Sequence, residues 1–484
     1  MTSAAVIATV LGYIAVLFAV AWVSGRRADN AGFFSGNRRT PWYMAAFAMI
    51  GAAMSGVTFI SVPGSVAVDG FSYMQMVAGF TVGQLIVAFV LIPTFYRLKV
   101  VSLYEYLDDR FGVRSHRTGA WFFFVSKMLG AALRIYVVCA VMQLLVFSHY
   151  GLPFWLNAAV TMLFVWLYTQ QGGVKSLIWT DTLKTVCLVG SLVLSIVFIM
   201  QALGMSLPEM TREVAASPYS KMFFFDDPAS DRYFWKMFAA GIVLLIAMTG
   251  LDQDMMQRNL SCKNFKDSQK NMITSVISQF FVILLFLMLG VLLYIFAANQ
   301  QIAVEKSDEL FPLIATGNYF PAIVGILFII GLISSAYSAA GSALTALTTS
   351  FTVDILGTKG KSEETVVKMR KKVHIGMAVV MGITIFVFNL LNNTSVIDAV
   401  YILASYTYGP ILGLFAFGIF MKQQVRDKYI PLVAIASPVL CFILQKNSEA
   451  WFGGYQFSYE LLIFNALFTF IGLCLLIRKD KKNN

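Results

Sequence analysis

The chain has 484 residues, 58% of them hydrophobic and only 13% charged, with a mean hydropathy of +0.74. A water-soluble protein of that length needs far more polar surface, so the composition excludes one and points to an all-α polytopic membrane protein. The formal charge of +11 needs no nucleic-acid partner, because the way it is spread over the loops has a different cause.

In chain order, the first apolar run, AAVIATVLGYIAVLFAVAWVS, is about as long as a bilayer crossing and lacks the short apolar core and processing site of a cleaved leader. It is expected to stay as a span at 3–24. Further runs fall near 42–68, 72–96, 119–147, 153–171, 176–203, 235–256, 271–298, 319–352, 373–391, 396–421, 429–445 and 458–477, about 13 transmembrane helices in all. The run at 319–352 is too long for one straight crossing and is expected to project beyond the bilayer. Taken alternately, the loops on the side of the C-terminal RKDKKNN carry nearly all the loop lysines and arginines. The other side holds only Arg212, Lys221, Arg232, Lys236, Lys306 and Lys446. The positive-inside rule then puts the N-terminus outside and the C-terminus in the cytoplasm, in a cell inner membrane.

Two spans are irregular. AAFAMIGAAMSGVTFISVP, 45–63, loads small and β-branched residues into mid-span and ends on Pro63; 235–256 ends AMTGLDQDMM, with Gly250 beside acids. Interrupted helices expose backbone groups that lipid cannot satisfy, so they must face a cavity. The two lie five spans apart, the spacing of two inverted five-helix repeats with a binding site between broken helices. Repeat 1 would be 42–203 and repeat 2 235–421, separated by an extracellular loop, 204–234. A first helix and cytoplasmic loop, 1–41, would precede them; two helices and a tail, 422–484, would follow. Ordinary packing through small residues is the competing account of both runs.

Four charges sit within spans. Lys184 lies roughly 12 Å inside the sixth span at 1.5 Å per residue, at a cost of about 2.5–3.5 kcal/mol if unpaired. Asp181, three residues earlier, shares its face and offsets it; the alternative is that the amine snorkels to cytoplasmic water. Arg134, mid-span four, cannot lose its charge and needs a permanent anion. Either a substrate carboxylate in a bidentate pair or an internal acid would serve. Lys127 is placed near the cytoplasmic mouth, and Asp252 and Asp254 at a helix end, as caps or loop partners. Tyr406, in YTYGP, is a candidate gate, and the loop 204–233 a candidate lid. The cysteines Cys139, Cys187, Cys262, Cys441 and Cys474 are scattered, and His116, His149 and His374 form no metal-ligand spacing. No cofactor, no catalytic cluster and no obligate protein partner are expected; the chain reads as a non-enzyme.

Six stretches resemble the sodium/solute symporter family, which includes sodium–glucose, iodide and sialic acid transporters. They are AGFFSGNRRTPWY, MSGVTFISVP, SLYEYLDDRFGVRS, GGVKSLIWTD, LDQDMMQRNL and ALTALTTSFTVDIL, spread over nearly the whole chain. The resemblance implies a LeuT-type core of ten helices, spans two to eleven. It implies a substrate site touching Ser55, Thr58, Tyr73 and Arg134. It also implies a sodium site built from the carbonyls of Gly51, Met54 and Ser335 and the hydroxyl of Ser338. A second cation site would use Asp181 and Ser342. The chain departs from the family at Ala339 and Gly341, where hydroxyls are usual, and at Lys184, where many relatives carry glutamine. Asp181 and Lys184 are therefore expected to govern coupling, and an amine near the site opens the alternative of proton-coupled or sodium-independent transport. The expected function is cation-coupled import of a small, anionic organic solute, a carboxylate or sugar acid, by alternating access. A membrane solute sensor is the reading from another class, and the lack of an appended soluble domain argues against it.

Overall fold

The computed structural model describes residues 2–25, 41–98, 104–169, 174–356, 361–391 and 396–478. The loop 26–40, with most of AGFFSGNRRTPWY, and the tail from 479 lie outside the described residues. Helices occupy every expected span interval, and the only bridge among the described residues is Val425–Ile477. Eight helices are long and apolar enough to cross a membrane, nine if the bent pair Trp42–Ala53 and Gly56–Asp69 counts as one. The shorter apolar helices Ser3–Ala19, Phe154–Leu167, Phe234–Gly250 and Leu461–Leu475 fill the remaining intervals. Several helices begin well before the apolar run does, at Val113, Phe265 and Glu363. Hydropathy reports the lipid-facing part of a helix and misses its polar terminal turns.

The packing follows the five-span repeat. Spans 2 and 3 pack with spans 7 and 8, while spans 4, 5, 9 and 10 form a second group. Span 6 lies against spans 2, 8 and 9, and span 11 against spans 4 and 13. The first group is joined backbone to backbone. A Cβ added at Gly79 of span 3 would lie 2.2 Å from the Phe238 carbonyl oxygen, and one at Gly241 of span 7 would lie 2.3 Å from that of Met76. Small residues permit this approach where no hydrophobic driving force exists between helices. Pro63 removes one donor from span 2, and the Tyr294 hydroxyl of span 8 donates to the Gly64 carbonyl at 2.7 Å.

The second group is clipped by His374 of span 10, which hydrogen-bonds the hydroxyls of Thr169 and Thr348, each at 3.0 Å. On the side of the C-terminal tail, the YEYLDDRFG stretch acts as a strap. Arg110 donates to the carbonyls of Gly418, Met421 and Gln423, the last of span 11 and the turn after it. Those carbonyls have no helical partner of their own. Asp427 returns the favour at the start of span 4, accepting from the amides of Arg114 at 3.0 Å and Ser115 at 2.8 Å. On the opposite side, the loop after span 6 is pinned to the corner at the start of span 3. Phe71 donates to the Lys221 carbonyl, and the Phe224 amide to Gln75.

Arg110→Ala should lower stability by about 2 kcal/mol, the worth of a charge-assisted hydrogen bond, and Arg110→Lys should recover only part of that, lacking the fork. Thermal unfolding in detergent measures both. Gly241→Val should push spans 3 and 7 apart and show as loss of the monodisperse species on size exclusion.

Candidate functional site

Span 2 breaks at Met54–Ser55. The first half ends at Ala53, Met54 leaves the helical region at ψ 93°, and the second half starts at Gly56, turned by 56°. Ser55 caps the second half, its hydroxyl accepting from the Thr58 amide. The last-turn carbonyls of the first half, Gly51 among them, have no following turn to bond. Span 9 packs on both halves. A Cβ at Gly56 would lie 3.7 Å from the Ser335 hydroxyl oxygen. That hydroxyl is buried and has no hydrogen-bond partner. An orphaned oxygen beside unpaired carbonyls is the donor set a hard cation takes. Ser338 and Ser342 continue the Ser335 face of span 9 at helical spacing, and both are buried.

Lys184 is 1% exposed, so the amine does not reach cytoplasmic water, and the snorkelling alternative is overturned. Its register follows from glycine contacts. Gly190 meets Leu327, and Gly331 meets Leu188, so spans 6 and 9 run antiparallel. One turn from Leu188 on the same face, Lys184 is level with Ser335. The Asp181 side chain lies outside the described residues.

A cavity of about 110 Å³ opens beside the break. Ser55, Thr58, Tyr73 and Arg134, all expected at a substrate site, line it together. Gln84, Thr249 and Gln279 add polar groups that sequence reading missed. One end of the Gln84 amide donates to Met272 sulfur, and the other is buried without a partner. The Tyr73 and Tyr401 hydroxyls share a 2.7 Å hydrogen bond. Arg134 makes no hydrogen bond or ion pair with any described residue. A larger hollow of about 570 Å³ lies between spans 5 and 10, and its wall carries no charged side chain.

The cavity floor corrects two expectations, for Lys127 and Tyr406, and adds to the expected capping role of Asp252. Lys127 is not at an open mouth. It is 7% exposed and pairs with Asp252 at 3.0 Å. Asp252, besides capping through the Met255 amide, also accepts from the Tyr408 hydroxyl at 3.0 Å. Tyr406, the candidate gate, turns away to Gln445 of span 12. Span 7 ends at Gly250 and resumes at Gln253, so Asp252 sits at its break. There the Tyr104 hydroxyl also takes the Leu251 carbonyl, at 3.2 Å. Two lone opposite charges in different apolar runs were the available signal for this pair.

Two broken helices crossing beside a mid-protein cavity, within two inverted five-helix repeats, define a membrane transporter of the LeuT type. The model of the sodium:solute symporter family matches residues 33–427, and the chain belongs to that family. It is 25% identical to the human sodium/iodide cotransporter over 419 residues, 83% of this chain and 63% of that protein. It therefore spans less than two thirds of that relative's length. It is 26% identical over 438 residues to the sodium/sialic acid symporter SiaT of Proteus mirabilis, covering 86% of this chain and 84% of that one. The fold matches a substrate-bound, outward-open Na+-coupled sialic acid symporter with a TM-score of 0.81 at 22% identity, over 97% of both chains.

Proposed function

We propose that this protein imports a small organic anion, a carboxylate or sugar acid, by sodium-coupled alternating access across a cell inner membrane, with its N-terminus outside. The observation that carries the substrate class is Arg134, a permanent cation in the cavity wall that makes no hydrogen bond or ion pair with a described residue. A guanidinium in a partly dry site needs a counter-charge, and a bound carboxylate supplies it in a planar bidentate pair. The hydroxyls of Ser55, Thr58 and Thr249 and the amide of Gln84 suit the hydroxyl groups of a sugar acid. That SiaT carries sialic acid supports the reading.

Sodium is assigned to the space between the carbonyls of Gly51, Met54 and Ser335 and the hydroxyls of Ser335 and Ser338. This set joins span 2, in one helix group, to span 9, in the other. An ion held by both fixes their mutual angle, and its departure frees them to tilt. Ser342 and Asp181 are assigned to a second cation position. A second reading has one specific support: the buried Lys184 level with Ser335. There its ammonium takes the place of a cation, and proton or sodium-independent coupling follows.

Reconstituted uptake of a panel of acids and neutral sugars, with sodium and proton gradients imposed separately, decides between the readings. Arg134→Lys should lower sub-saturating uptake of the transported acid by about tenfold or more, the loss of one charge-assisted bond. If neutral sugars are carried and acids are not, the anionic assignment fails. Lys184→Gln should make uptake more steeply sodium-dependent. If the parent protein is already steeply sodium-dependent and this substitution changes nothing, the second reading fails.

A further inference from the structure

A groove of about 400 Å³ runs along the outside of the bundle between the first turns of span 4 and of span 12. Span 4 lines it with Arg114, Arg117, Trp121 and Val125, and span 12 with Pro431 and Ile435. Thr407 of span 11 belongs to its wall as well. The span 4 residues fall at i, i+3, i+7 and i+11, on one face of the helix. From Arg114 to Val125 the helix rises about 16 Å, half of a hydrocarbon core of about 30 Å. Both helices start on the side of the C-terminal tail. Asp427, just before span 12, accepts from the amides at the start of span 4, and the Arg478 amide donates to the neighbouring Gln424 carbonyl. The groove is therefore basic at the tail end and apolar beyond it. Trp121, Val125 and Ile435 are exposed, and so are both arginines.

We propose that this groove holds one anionic phospholipid, its phosphate on Arg114 and Arg117 and an acyl chain along Trp121, Val125 and Ile435. Charge selects the headgroup, because the wall carries two guanidinium groups and no acid. Asp427, which touches the start of span 4, spends its carboxylate on the Arg114 and Ser115 amides. The Arg117 side chain makes no hydrogen bond or ion pair with a described residue. Arg114 gives one long bond, 3.4 Å to the Lys428 carbonyl. Both forks are thus left for phosphate oxygens, which guanidinium groups bind in plane. Helical side chains lean toward the helix N-terminus, here the tail side, so the arginine heads reach headgroup level while their stems stay on apolar surface. Lys428, in the turn before span 12, adds positive charge at that end. A second copy of this chain is a poor occupant, since a two-fold contact through this face would set like arginines against each other. A zwitterionic lipid would fill the apolar part and leave the arginines without a net counter-charge. Bound there, the anionic lipid ties span 4 to spans 11 and 12 beside the strap of Arg110.

Quenching by brominated lipid tests this on the full chain. Phospholipids with bromine on the acyl chains quench a tryptophan that they touch, and Trp121 stands in the groove wall. The protein is reconstituted in phosphatidylcholine with a rising fraction of brominated phosphatidylglycerol or of brominated phosphatidylcholine. Subtracting the signal of Trp121→Phe in each background isolates Trp121. Its half-quenching fraction should be at least about tenfold lower for phosphatidylglycerol, since each basic residue at an anionic surface is worth about fivefold. Arg117→Gln should raise that fraction about fivefold, and Arg114→Gln with Arg117→Gln should erase the preference. Arg117→Lys keeps the charge and should retain most of it, which separates loss of charge from damage to the fold. Equal quenching by the two lipids in the parent, or a preference that survives in the double variant, would overturn the proposal. So would a Trp121 that neither lipid quenches; a dimer by light scattering would then identify a second copy as the occupant.

Discussion

A hydrocarbon solvent cannot hydrogen-bond a peptide group, and the rest of this molecule follows from that. Each place where a helix stops inside the membrane must be enclosed by protein that accepts or donates in water's stead. At Met54–Ser55 the enclosure is a serine cap, span 9 with its buried serines, and span 8 behind. At Leu251–Asp252 it is Tyr104, Lys127 and Tyr408, brought from three separate stretches of chain. The polar groups that repair each break are the same groups that make it able to hold a charged guest. Structural necessity and binding chemistry coincide there.

The second organising fact is that the repairs cross a boundary. Spans 3 and 7, and spans 2 and 8, touch through glycines with no room to slide. Spans 5, 9 and 10 are clipped through His374. Between these two rigid groups the polar contacts are of another kind: an orphaned serine facing a glycine, and an ion pair across a small hollow. Such contacts can be broken and remade at modest cost, whereas glycine-packed backbones are not continuously deformable.

The positions of the helical spans and the five-span repeat were legible in the sequence because lipid imposes one strong rule on composition. Helix starts at Val113, Phe265 and Glu363 were not, since their polar turns look like loops to a hydropathy window. Of the candidate residues, Ser55, Thr58, Tyr73 and Arg134 proved to share one cavity. Motif spacing on a helix specifies a face well. The partnership of Lys127 with Asp252 was hidden because 125 residues separate them, and each alone resembles a charge at a span end. Tyr406 and Tyr408 show the same limit on a smaller scale. They differ by two positions and so point to opposite sides of span 11; only the packing shows that Tyr408 faces inward.

The strap through Arg110 bears on biosynthesis. The acceptors of Arg110 lie more than three hundred residues downstream, and the carboxylate that caps the start of span 4 belongs to Asp427. While most of the chain is still being made, that helix start is without its cap and the arginine fork without its carbonyls. Closure of this face is therefore a late event, completed only when span 11 has been inserted and the turn beyond it has emerged from the ribosome. Until then the interior stays open to repacking, and the last helices act as the key that locks the earlier ones.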